Sequence, residues 1–416
     1  MKGRSKINRG LVCLAILVLT AAFICACNEN DDNVTARQGA QPVEIGGIVG
    51  LTGGSPVWGR SCLRALRYAE ADVNADLAAQ GAERSVSLVY ADSALLPVVA
   101  DYLMRSFVYQ GIRVVVGPLT SSELLTMQTE VNASGSIVIS PSSTLPQLST
   151  VGDNILRMVP NDNVMIDAIV QALLLKGIRS LAVMYNDDDW GTAILNNLKT
   201  AFEGKGGTVI GSRNYANLRP DILQGGLDDL SALIAAKIAA DGAGTVGFLL
   251  ISYDEGQGIL NLAAADPVLG QVRWFGTDGY VGRDDLLTDA TAAPFCAQTE
   301  YMAPSLKLTL TAKGEALKAK VEAATGLPAT IYSLLAYDAF YVAAKALVNS
   351  PRDIGVGDLR NRILAEFRFY QGTTGTIDLN AAGDRASGVY YFWQVKNNAG
   401  TYEWQHVLTY ENGGVS

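Results

Sequence analysis

The sequence predicts an α/β protein of two domains, each a parallel sheet covered by helices on both faces. Three observations predict it. Runs of β-branched residues alternate with amphipathic helical segments from Val43 onward, the order that buries both faces of a parallel sheet. The alternation begins afresh beyond the stretch RMVPND. The chain, at 416 residues, is also long enough for a leader and two domains of ~100 to 200 residues each.

The leader comes first. MKGRSKINRG carries Lys2, Arg4, Lys6 and Arg9 and no acid, and LVCLAILVLTAAFICAC follows as an apolar run too short for an ordinary spanning helix. This pattern reads as an export signal. Its end, Ile24, Cys25, Ala26 and Cys27, resembles the bacterial lipobox, so residues 1–26 are expected to be removed and Cys27 to be lipidated as the mature N-terminus. An ordinary signal peptide cut nearby, or an uncleaved anchor, are the other readings. Losing the four basic residues takes the formal charge from −9 to −13, which disfavours nucleic acid and anionic lipid. Residues 27–42 are polar without apolar periodicity and read as a flexible tether. One or two acyl chains would then hold the body at a membrane surface.

The body follows in order. VEIGGIVG is a strand, and the helical segment after it sets Leu63, Leu66, Ala69 and Val73 on one face. SVSLVYADS, LLPVVADYLMRSFVYQ, RVVVG, SELLTMQTEVNA and SIVIS continue the alternation. The second series runs VMIDAIVQALLLKG, SLAVMYND, WGTAILNNLKTAFEGKG, GTVIGS, a long helix near 226–240, TVGFLLIS, GILNLAAAD and VRWFGTDG. From Gly375 the text changes. GTIDL, GVYYFWQVK and TYEWQHVLTY are aromatic and β-branched with turns between, as expected of strands closing a domain edge.

Catalytic readings fare poorly. His406 is the only histidine and falls in one of these late strands, which leaves a Ser-His-Asp or Cys-His enzyme one possible base in an unsuitable place. GGSPV fails the G-x-S-x-G elbow at Val57. GAGTVG, residues 242–247, fits G-x-G-x-x-G, but it precedes its strand, where a dinucleotide loop must follow one. Of five cysteines, Cys13, Cys25 and Cys27 belong to the leader and lipid site. Cys62 and Cys296 remain, the first in a helical segment and the second beside a late strand, and are expected to stay unpaired. Two cysteines and one histidine make no zinc site. No cofactor or metal is expected.

The strand C-terminal ends carry the polar and aromatic residues. GLTGGSPVWG follows the first strand, GPLTSSE the third and SPSSTLP the fourth, while SYDEGQG and GTDGY fall in the second half. Ligands bind beyond such ends because helix N-termini and loop amides converge there.

These stretches, in this order, resemble the substrate-binding proteins of branched-chain amino-acid ABC importers, which are type I periplasmic binding proteins. The residues concerned are IGGIVGLTGGSPVWGRSCLRALRYAEADVNA, VVVGPLTSSELL, ISPSSTLPQL, AVMYNDDDWG, WFGTDGY, LLAYDAFYVAAKAL and GTTGTIDLNAAGDR, spanning roughly residues 43–410. The resemblance implies two doubly wound parallel-sheet lobes joined by three hinge crossings, near Val159, Ala303 and Gly375. Lobe 1 would be 43–159 plus 304–374, and lobe 2 would be 160–303 plus 375–416. The lobes would close on a solute in the cleft.

The resemblance also assigns roles. Ser121, Ser142, Ser143 and Thr144 would hold a ligand carboxylate, since hydroxyls and helix-start amides supply donors without adding charge. Trp58 and Trp190 would form aromatic walls, and Ser252 with Tyr253 the second-lobe contact. Asp278 stands where close relatives carry a Glu that pairs with the ammonium; as one turn residue of a TDG loop it has an ordinary structural reading as well. The function implied is capture of an amino acid or similar small carboxylate by a lipid-anchored, monomeric receptor. It would sit on the periplasmic or cell-surface side of a bacterial membrane, served by ABC permease and ATPase subunits. A receptor of the same fold reporting to a regulator or sensor kinase is the alternative, and an exported α/β enzyme a remote one.

Overall fold

The computed structural model describes residues 41–416 except 55 and 217; the leader, most of the tether and Cys27 lie outside the described residues. The first half is a five-stranded parallel sheet in the order β2-β1-β3-β4-β5. Its strands are β1 (Val43–Val49), β2 (Val86–Asp92), β3 (Val114–Val116), β4 (Ile137–Ser140) and β5 (Ile155–Arg157). Between them run α1 (Pro56–Ala79), α2 (Pro97–Tyr109) and α3 (Ser121–Ser134). Strands this apolar need cover on both faces. The helix face foreseen on α1 is buried at Leu66, Ala69 and Val73, while Leu63 lies at its margin, half-buried.

The second half repeats the plan. After α4 (Asp162–Leu175) come β6 (Ser180–Asn186), α5 (Asp189–Gly204), β7 (Thr208–Tyr215), α6 (Pro220–Asp241), β8 (Val246–Ile251), α7 (Gly256–Ala263) and β9 (Arg273–Phe275). Then follow α8 (Asp284–Thr288), α9 (Ala292–Gln298) and β10 (Met302–Lys307). Cys296 sits inside α9, not beside a strand. It and Cys62 are buried free thiols. The GAGTVG stretch is a helix end and tight turn that runs into β8.

Three long helices then return to the first sheet: α10 (Ala312–Thr325), α11 (Ile331–Val348) and α12 (Val356–Phe369). The helix α11 is apolar and long enough to cross a membrane, but most of it is buried, packed along α1. A short ribbon pairs β11 (Gln371–Gly372) with β12 (Gly375–Thr376). The aromatic tail forms β13 (Val389–Asn398), β14 (Thr401–Glu411) and β15 (Gly414–Val415), which extend the second sheet antiparallel to β10. The eight-stranded order is β15-β14-β13-β10-β9-β8-β6-β7.

Strand pairing places the crossings. The first covers residues 158–161, between β5 and α4. Ala303 lies inside β10, paired with Trp393 of β13, so the chain leaves the second sheet only after Lys307. Gly375 belongs to the ribbon tied to α11, where Asp338 accepts from the amide and hydroxyl of Thr373. The following loop also stays with the first sheet. There Asp384 meets Arg157 at 2.6 Å, with both side chains buried, and the third crossing falls at 386–388.

Candidate functional site

Both sheets share one switch-point layout, 2-1-3-4-5 and 7-6-8-9-10, and contacts link segments beyond their strand ends: the loops after β3 and β4 bond to each other, Trp58 packs on Tyr332, which reaches Asp278, and Trp190 stacks on Tyr253. Close backbone approach shapes this cluster. At Gly279 in the TDG loop, a Cβ would stand 2.3 Å from the Ser252 carbonyl oxygen and 2.9 Å from the Trp190 ring, so no larger residue fits.

The hydroxyl loops come together as the sequence suggests, but most of their hydroxyls face inward. Ser142 Oγ donates to the Leu119 carbonyl at 2.6 Å, and Ser143 Oγ to that of Thr120 at 3.1 Å. Ser140 donates to the Pro118 carbonyl. Ser121 Oγ accepts from the amides of Thr144 and Leu145. These bonds tie the loop after β4 to the loop after β3, satisfying backbone groups that would otherwise be buried unpaired. Arg157 holds the same loop from behind, donating to the carbonyls of Leu145 at 2.7 Å and Ser143 at 3.3 Å. The geometry therefore places Ser142 and Ser143 in the frame of the site, and leaves Thr144 as the hydroxyl nearest its charged groups.

Aromatic rings wall the space. Trp190 stacks on Tyr253 with centroids 4.6 Å apart and planes 22° apart, and Trp58 leans on Tyr332 at 5.4 Å. Trp58, Tyr253, Asp278 and Tyr332 are half-buried, whereas Trp190 is buried. Tyr253 donates to Asp188 Oδ2 at 3.2 Å, and Asp188 also caps α5 through the Gly191 amide. Ser252 is buried beneath the TDG loop and presents no surface to the cleft.

Two carboxylates occupy the centre. Asp162, in the first turn of α4, is only 1% exposed, and neither of its oxygens has a partner of normal hydrogen-bond geometry. The Thr144 hydroxyl and the Trp190 indole lie close enough to favour its charge. Burial, followed by the neighbouring Asp278 carboxylate, outweighs them and pushes Asp162 up to about 8. Burial likewise raises Asp278 to about 6, opposed by the Tyr332 hydroxyl, which donates to it at 3.2 Å. At neutral pH such a pair retains a proton.

Asp162 and Tyr332 were not foreseen. Asp162 lies in the VPNDN stretch, whose sequence signal is only that of a helix start capped by Asn161. Tyr332 opens α11 behind the cap Thr330, in text that otherwise reads as a core helix. His406 is exposed on β14, packed against the Tyr391 ring.

With this geometry in hand, comparison places the chain among known proteins. A family described as periplasmic binding protein matches residues 42–401. The uncharacterized protein MJ1266 of Methanocaldococcus jannaschii is 25% identical over 399 residues, covering 91% of this chain and 93% of that one. Similar solved structures include the branched-chain amino-acid transporter substrate-binding protein LivJ of Streptococcus pneumoniae in complex with isoleucine. It has a TM-score of 0.64 and 17% identity, with 88% of this chain and 99% of that one covered. An ABC transporter substrate-binding protein from Desulfitobacterium hafniense has a TM-score of 0.67 and 19% identity, covering 88% and 100%. A solute-binding protein from R. palustris in complex with benzoate has a TM-score of 0.64 and 16% identity, covering 88% and 96%. At these identities the structures speak for the fold, and the family match speaks for descent: the chain belongs to the periplasmic binding protein family, with the type I arrangement of two parallel-sheet lobes.

Proposed function

We propose that the chain is an exported, lipid-anchored solute-binding protein that captures an amino acid or similar small carboxylate between its lobes and delivers it to an ABC permease. The observation that carries this reading is the cleft itself, where strand-end loops from both sheets bring Trp58, Thr144, Trp190, Tyr253 and Asp278 together. Asp278 would take the ligand ammonium, while Ser121, Thr144 and nearby amides would serve the carboxylate. Lobe 1 would carry 43–159 and 304–374 apart from the end of β10, and lobe 2 most of the remainder, closing by the hinge motion typical of periplasmic binding proteins. Binding without chemistry is the economical reading, because the cleft assembles no nucleophile with a base.

A thermal-shift screen against amino acids and aromatic acids tests the reading. Some amino acid should raise the melting temperature, with ~2.7 kcal/mol of added stability at 100 times Kd. A response to a sugar alone would discard it. Attachment has its own test: Cys27→Ser should abolish fatty-acid labelling and leave ligand binding intact. Continued labelling would remove the lipobox from the account.

A further inference from the structure

The centre of the cleft sets two acids beside few free donors, the unpartnered Trp58 indole N–H among them. Asp162 and Asp278 bring two carboxylates to its centre. Arg157, the cation acting on Asp162, is already held by Asp384 at 2.6 Å. Ser142 and Ser143, which could have donated to an anion, give their protons to backbone carbonyls. Neither buried oxygen of Asp162 has a partner of normal hydrogen-bond geometry, with only the Thr144 hydroxyl and Trp190 indole near it, a costly state that a ligand donor would relieve.

A cavity of about 500 Å³ lies between α3 and α5, and its lining holds Asp187, Asp188 and Asp189 with Ser122, Leu145 and Gln147 and no basic side chain; Asp188 ties it to the cleft by accepting from Tyr253. Asp187 and Asp189 are exposed. A lining of this charge attracts cations and repels anions. Aromatic rings stand near the carboxylates too, Trp58 against Tyr332 and Trp190 stacked on Tyr253, and indole and phenol rings attract positive charge.

Charge balance decides between ligands. A zwitterion neutralises none of the net negative charge of the pair, whereas a ligand with a second ammonium does. We propose that the preferred ligand is a cationic amino acid, one carrying a second amine, whose two positive charges are taken up by Asp162 and Asp278. This rests on the amino-acid reading above and adds the charge class to it.

The test compares L-lysine with L-norleucine, near-isosteres that differ by the terminal ammonium, by calorimetry on the purified protein at neutral pH. Lysine should bind about tenfold or more tighter, as expected for a charge meeting a desolvated partner. In Asp162→Asn the lysine preference over norleucine should fall to about twofold or less. Because the wild-type comparison needs no variant, misfolding of Asp162→Asn would not shield the proposal. Norleucine binding as tightly as lysine overturns it and leaves the amino-acid reading standing. Binding of benzoate with neither amino acid overturns both. An undiminished lysine preference in a folded Asp162→Asn protein removes Asp162 from the site.

Discussion

The Tyr332 hydroxyl donates to Asp278 Oδ2 at 3.2 Å, joining the first turn of α11, which packs on the first sheet, to the loop after β9 of the second. The carboxylate proposed to take the ligand ammonium is thus already engaged by Tyr332. Burial keeps Tyr332 protonated far above its ordinary range, so it acts as donor. On the function proposed above, a ligand ammonium would share or replace this contact and so couple binding to the relative position of the lobes.

Tyr332→Phe removes the contact and keeps the ring that packs on Trp58. A hydrogen bond to a charged group contributes about 1.5 to 3 kcal/mol, so the ligand-free variant should populate more open lobe arrangements. Small-angle scattering of ligand-free protein should show a larger radius of gyration than the parent. Identical curves would mean that the contact does not hold the lobes.

Ser142→Ala separates frame from ligand contact. It leaves the buried Leu119 carbonyl without its donor, at a cost of about 1 to 3 kcal/mol in urea unfolding. Ligand affinity should change by about twofold or less, since the hydroxyl points away from the cleft. A large loss of affinity at unchanged stability would return Ser142 to the ligand.

The contrast between Ser142 and Asp162 shows what the sequence made legible. Strand and helix segments could be read along the chain because apolar periodicity is local, and the loops of the site could be named because they follow strand ends. The direction of each hydroxyl could not. Whether Ser142 donates to a ligand or to Leu119 depends on the loop after β3, some 20 residues away in sequence. Asp162 escaped notice because an acid in a first helical turn is ordinary; only its burial beside Asp278 sets it apart. The crossings shifted for a similar reason. Ala303 belongs to β10 through pairing with Trp393, a partner 90 residues later, and the Gly375 segment is held by Asp338 and Arg157.

The Arg157–Asp384 pair should be a stability determinant behind the site. Both side chains are buried, and Arg157 also donates to Ser149 Oγ at 2.6 Å and to the Leu145 carbonyl. Asp384→Asn strands a buried guanidinium, which typically costs ~3 to 5 kcal/mol. Arg157→Met added to Asp384→Asn should cost far less than the sum of the single changes, and urea unfolding of the four proteins measures that coupling. Additive losses would show that the two side chains do not depend on one another.

Stability should carry the signature of Asp162 in its pH dependence. Burial raises this carboxyl to about 8, above the usual value near 4, so between these values the folded protein holds a proton that the unfolded chain has released. The unfolded state therefore binds fewer protons, and this group makes stability fall as pH rises from about 4 to about 8 and level off beyond. Other shifted carboxyls add their own slopes, so the informative quantity is the difference between parent and Asp162→Asn. At pH 5 the neutral acid and the amide are near-isosteres, and the two melting temperatures should lie close together. Above pH 8 the parent buries a charge that the variant lacks, so the variant should melt higher. Saturating L-lysine should narrow that gap in the parent by supplying the missing counter-charge. Melting curves that run parallel from pH 5 to pH 9 would show that Asp162 does not titrate in this window and that the carboxylate pair exerts no electrostatic strain on the empty cleft.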